Sequence, residues 1–149
     1  MKEELISFET AKLAYEKGYT REVVGVSFTS TRRNYYNTQG ELNGDCTDFI
    51  KDVLKYGREK AKVKHVLYPA TSQSLLQKWL REEKDIFVTI DFEPNIETES
   101  AVNDTYTFKI IKQNNNLSFD KIKGYGIMYD SYEEALEKGL QEALKLIKL

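Results

Sequence analysis

The clearest periodicity in this 149-residue chain lies in its second half, where a helical pattern, a strand pattern and a closing helical pattern follow one another. Over residues 72–82, Leu75, Leu76, Trp79 and Leu80 recur at helical spacing. They predict a helix opened by Thr71 or Ser72 with those four as its buried stripe. From Ile86 the pattern changes to alternation. Residues 86, 88, 90 and 92 read as the inward face of a strand, and its partner is expected over Thr105 to Lys112, with Tyr106, Phe108 and Ile110 on one side. The polar stretch from Glu93 to Asp104 connects the two and is long enough to carry function. Beyond Gly124, Tyr125, Ile127 and Tyr129 alternate as a third short strand. Ser131 with Glu134 then matches a capping box. The helix it opens places Tyr132, Ala135, Leu136, Leu140, Ala143, Leu144 and Ile147 on one stripe, with glutamates early and lysines late to suit the helix dipole. The two strongest stripes must share one sheet face, so Trp79 is expected to be buried against Leu136 and Leu140.

The first half is patterned more weakly. Ser7 can cap a helix through Phe8, Ala11, Leu13, Ala14 and Tyr15, which Gly18 stops. Val23, Val24, Val26 and Phe28 are strand formers, and the stretch runs through Arg32 and Arg33 into Tyr35 and Tyr36. Turn residues fill 37–45, and Asp45 or Thr47 then caps a helix whose stripe is Phe49, Ile50, Val53 and Leu54 and whose end is Gly57. Past it, Arg58, Lys60, Lys62 and Lys64 alternate with other residues, which in an extended chain puts four cations on one face. These elements together predict an α+β fold in a single domain, with a mainly antiparallel sheet covered on one face by the helices starting near Ser7, Ser72 and Ser131.

Composition narrows the function classes. With 22 Lys+Arg against 24 Asp+Glu, the chain has no global attraction for nucleic acid or an anionic membrane, so such binding would need a local patch. Cys46 is the only cysteine, which excludes an intrachain disulfide. No window approaches the ~18 apolar residues of a membrane span. A soluble cytoplasmic protein without membrane contact is expected.

Candidate chemistry is sparse. Cys46 and His65 are the only residues of their kinds, and a thiolate–imidazole pair would need the fold to bring them together. One Cys and one His do not suffice for a Cys/His zinc site in a single chain. Asp45, Asp48 and Asp52 fall at i, i+3 and i+7, a spacing that suits helix capping and the dipole better than a cation site. The glycines form neither a dinucleotide fingerprint nor a phosphate loop. No catalytic residue, metal or cofactor is therefore assigned. The local asymmetry of note is electrostatic: residues 51–84 carry nine Lys/Arg and four Asp/Glu, whereas 85–104 carry six acids and no base. Arg32, Arg33, Arg58, Lys60, Lys62 and Lys64 are the candidate nucleic-acid contacts, with Tyr35 and Tyr36 available for stacking. A winged-helix reading would turn Lys78, Arg81 and Lys84 toward a groove, but Glu82 and Glu83 share that helix and a clear preceding helix is missing.

Three blocks carry a resemblance: residues 12–18 (KLAYEKG), residues 68–71 with 73–82 (YPAT and QSLLQKWLRE), and residues 132–140 (YEEALEKGL). With these the chain resembles a group of short uncharacterised proteins of Bacteroidetes genomes, phages and mobile elements. Residues 38–67 are longer than the corresponding part of such proteins and read as an elaboration. The resemblance implies a phage or mobile-element setting and brings no activity and no site residue. The expected role is a small non-enzymatic accessory or protein-interaction protein. The alternatives are a nucleic-acid-binding module using 51–84 and an enzyme with an unrecognised site. For the interaction reading, Tyr35, Tyr36, Phe87 and Ile111 are the candidate partner surface, through self-association or a protein partner.

Overall fold

A computed structural model describes residues 3–20, 34–94, 105–113, 119–123 and 127–149, with only the backbone of 93 and 119–123. The fold is α+β, and its sheets are antiparallel. Contacts divide the chain into two compact units, one of Leu5–Thr71 and one of Ser72–Leu149 with Met1–Glu4.

In the N-terminal unit, Ser7 caps α1 (Phe8–Glu16) by accepting from the Thr10 amide, and the helix ends at Lys17 and Gly18 as its sequence predicts. The first helix packs on β2 (Tyr68–Pro69), which pairs with β1 (Tyr35–Tyr36). Edge-on contacts of Phe8 with Tyr36 and Tyr68, and of Tyr15 with Tyr68, fill the space between them. The Tyr36 hydroxyl donates to the Ile6 carbonyl at 2.8 Å. The expected strand over Val23 to Phe28 lies outside the described residues.

The hairpin of α2 (Thr47–Tyr56) and α3 (Arg58–Lys64) completes this unit. Gly57 joins them at φ +89, a backbone that favours glycine, and serves as the end of one helix and the cap of the next. Residues 58–64 are thus helical, not extended. At about 100° per residue, Arg58 and Lys62 fall on one side of α3 and Lys60 and Lys64 on the other, so the four cations share no common face. The alternation of charge misled because Gly57 allows a new helix to start at once, where the extended reading required a stop.

In the C-terminal unit, Ser72 and Ser131 cap α4 (Gln73–Lys84) and α5 (Tyr132–Lys145) through the Leu75 and Glu134 amides at 3.3 and 3.1 Å. The sheet order is β3 (Ile86–Glu93), β4 (Thr105–Gln113), β5 (Phe119–Lys123). Its first pair runs in the expected register, with Val88 opposite Ile110 and Ile90 opposite Phe108. The third strand of this sheet is 119–123; of the expected 125–129, the described residues 127–129 form no strand, and Tyr129 makes an isolated bridge to Tyr106, with N–O distances of 2.9 and 2.8 Å. Both α4 and α5 pack on this sheet. The core includes Leu76, Leu80, Ile86, Val88, Ile110, Leu136, Leu140 and Leu144.

The buried stripe of α4 is rotated from the expected one. Gln73, Leu76 and Leu80 face inward, Trp79 is half-buried with the Lys84 ammonium 5.2 Å from its ring centroid, and Leu75 is exposed. The amides explain the rotation. Gln73 donates to the Glu133 carbonyl and the Glu137 carboxylate, both at 3.0 Å, and Gln77 donates to the Val88 carbonyl at 2.6 Å. Two glutamines whose polarity suggests solvent therefore occupy the inner flank and displace the tryptophan outward.

Candidate functional site

Two features stand out, a polar cavity and an exposed aromatic surface. The cavity lies in the N-terminal unit, has a volume of about 220 Å³, and is lined among others by Asn37, Asp48, Cys46 and His65. Local turns build its walls. The Asn37 side-chain oxygen accepts from the Gln39 and Glu41 amides at 3.0 and 2.9 Å, and Asp45 accepts from the Thr47 amide at 2.8 Å just before α2.

The fold does bring Cys46 and His65 to one cavity, which sequence could not show. Each has a different neighbour. The Tyr35 hydroxyl, which donates to the Gly44 carbonyl at 2.5 Å, is the neighbour of Cys46, and burial, then the thiol beside it, push that phenol up to about 12. The His65 Nε2 lies 2.7 Å from Asp52 Oδ2, which also holds the Lys64 ammonium at 2.8 Å. Those two partners, Lys64 first, keep the Asp52 carboxyl below its ordinary range, and Asp52 in turn raises Lys64. Asp52 therefore staples α3 to α2, while Asp45 serves a turn. Among the described residues no group of His, Cys, Asp and Glu is arranged to hold a metal ion.

Of the predicted nucleic-acid residues, the described four, Arg58, Lys60, Lys62 and Lys64, share no common face of α3. Arg32 and Arg33 lie outside the described residues, Lys62 pairs with Glu59 at 3.6 Å, and Lys64 is committed to Asp52. Of the predicted partner surface, Tyr35 is buried and Tyr36 half-buried in the N-terminal unit, so neither offers an open face. Phe87 and Ile111 are cross-strand neighbours on the outer side of the sheet and are half-buried.

The open apolar surface is elsewhere. At one end of the three-stranded sheet, Phe92 packs on Tyr106 with centroids 5.4 Å apart, and Tyr106 meets Tyr132 edge-on at 6.4 Å. The Met128 sulfur lies 3.5 Å from the hydroxyl of Thr105, whose side chain alternates to the other face of β4 from Tyr106. Phe92 is 51% exposed, Tyr132 44%, Met128 56% and Ile127 64%. Asp130, Glu133 and Glu134 are exposed beside them, and residues 127–134 hold no Lys or Arg. In sequence Phe92 and Tyr132 belong to inward stripes, and their exposure comes from each sitting at an end of its element, where the stripe runs past the core. A second apolar exposure lies on α2, where Leu54 is 77% exposed one turn from Ile50, with Val63 exposed on α3.

A small antiparallel α+β fold carrying an aromatic, acid-rimmed surface is thus the class that the geometry defines. Comparison with protein-family models, curated proteins and solved structures finds no match to this chain.

Proposed function

We propose that this chain is a non-enzymatic accessory protein that acts by binding another protein through the surface formed by Phe92, Tyr106 and Tyr132. The cytoplasm and a phage or mobile-element setting form part of the proposal, the setting resting on the resemblance of its three sequence blocks. What carries the reading is the contiguity of that surface. Isolated exposed apolar residues are ordinary, whereas aromatic side chains joined in one patch are the composition of interface cores. Tyrosine suits this place because its ring supplies contact area while its hydroxyl remains compatible with water.

The test is a photo-activated phenylalanine analogue placed at position 132, with position 138 on the exposed side of α5 as control. Position 132 is expected to yield protein adducts in the host cell and position 138 none. Absence of adducts at 132 would overturn the reading.

A further inference from the structure

The patch on the C-terminal unit is acidic at its rim, and the α2–α3 hairpin of the N-terminal unit has the opposite character. Over 47–64 the hairpin carries six Lys/Arg against three Asp/Glu, and Lys55, Lys60 and Lys62 are exposed. It also presents Leu54 and Val63 to solvent, 77% and 86% exposed. The helix α2 buries only Phe49, and α3 only Ala61. An amphipathic helix with an uncovered apolar stripe gains most of its stabilisation when that stripe is covered.

We infer that the partner of the aromatic patch is the basic α2–α3 hairpin of a second copy of this chain. The inference rests on the reading of the patch as an interface and specifies its occupant. Opposite charges around two apolar centres steer encounter and fix which surface meets which, while contact of leucine and valine with the aromatic rings supplies the desolvated centre. A patch meeting a copy of itself would instead face Asp130, Glu133 and Glu134 with the same acids. The contact is therefore between two different surfaces, which closes as a reciprocal pair or a ring, or continues as a chain of copies.

Sedimentation velocity of the full chain between about 5 and about 200 µM is the first measurement. Association is expected to be at least about tenfold tighter at about 50 mM than at about 500 mM salt. Asp130→Lys with Glu133→Lys, and separately Lys60→Glu with Lys62→Glu, should each leave a folded monomer, and an equimolar mixture of the two variants should associate again. Independently of those variants, zero-length carboxyl–amine cross-linking of mixed light and heavy-isotope copies should join the acidic rim to the hairpin lysines in mixed-isotope pairs. A strict monomer across the range, or cross-links of that kind confined to single copies, overturns the inference. If the chain stays monomeric while position 132 captures a different host protein, the interaction role stands and self-recognition falls. If position 132 captures nothing and the chain is monomeric, both fall.

Discussion

Gly139 shows how tightly single side chains are constrained in the C-terminal unit. A methyl group there would stand 2.8 Å from Val88 Cγ1 and 3.1 Å from Phe108 Cβ, so α5 approaches the sheet at a distance that only glycine allows. Gly139→Ala gains up to about 1 kcal/mol of helix propensity. The overlap lies on two buried side chains that cannot swing away, and overpacking of this kind costs about 1–3 kcal/mol. Net destabilisation is expected in urea unfolding. The rotated stripe of α4 gives a second contrast. Leu76 is fully buried, so Leu76→Ala should cost about 2–5 kcal/mol. Trp79, half-buried beside Lys84, should cost less on truncation, and its indole should be accessible to a collisional quencher. A Trp79→Ala loss equal to that of Leu76→Ala would return the tryptophan to the core.

At the scale of elements, the staple between α2 and α3 makes the hairpin sensitive to pH. Asp52 titrates below its ordinary range because Lys64 and His65 stabilise its charged form. Its contribution is present above the unfolded value of about 3.9 and is lost as pH falls through the folded value. Lys64 is raised by Asp52, so its contribution holds below about 10.4 and disappears as pH climbs past the folded value. Helicity at 47–64, followed by NMR, should thus be level between about pH 5 and pH 9 and fall on either side, the pair being too exposed for a large effect. Asp52→Asn should remove the acid-side fall, and an unchanged fall would assign it to other groups. Elements of this kind divide by how far they could be read in advance. The serine caps of α1, α4 and α5, the β3–β4 pair and the ends at Gly18 and Gly57 were legible because each rests on a local rule. The third strand, the α3 helix and the inner face of α4 were not. Each depends on a partner distant in sequence: Asp52 for Lys64 and His65, Val88 and Glu133 for the two glutamines, and β4 for β5. The same limit hid the candidate surface. Phe92, Tyr106 and Tyr132 come from three separate segments, and exposure at the end of a stripe is not written in its period.

For the molecule as a whole, burial is distributed unequally between the two units, and this should appear in how the backbone opens. In the C-terminal unit α5 buries Ala135, Leu136, Gly139, Leu140, Ala143 and Leu144 against the sheet, whereas α2 buries Phe49 alone. Amides of β3, β4 and α5 can then exchange only when that core opens, while those of α2 and α3 exchange through local openings of lower free energy. Hydrogen exchange should find slow amides in the first set and fast ones in the second. Leu140→Ala makes the difference quantitative. Leu140 is fully buried, so its truncation should lower protection throughout β3, β4, α4 and α5 by about 2–5 kcal/mol. In α2 and α3, whose opening does not involve that core, protection should be unchanged. A uniform loss in both sets would mean that the units fold as one cooperative body, and the self-recognition surfaces on them would have to be tested as parts of a single stability unit.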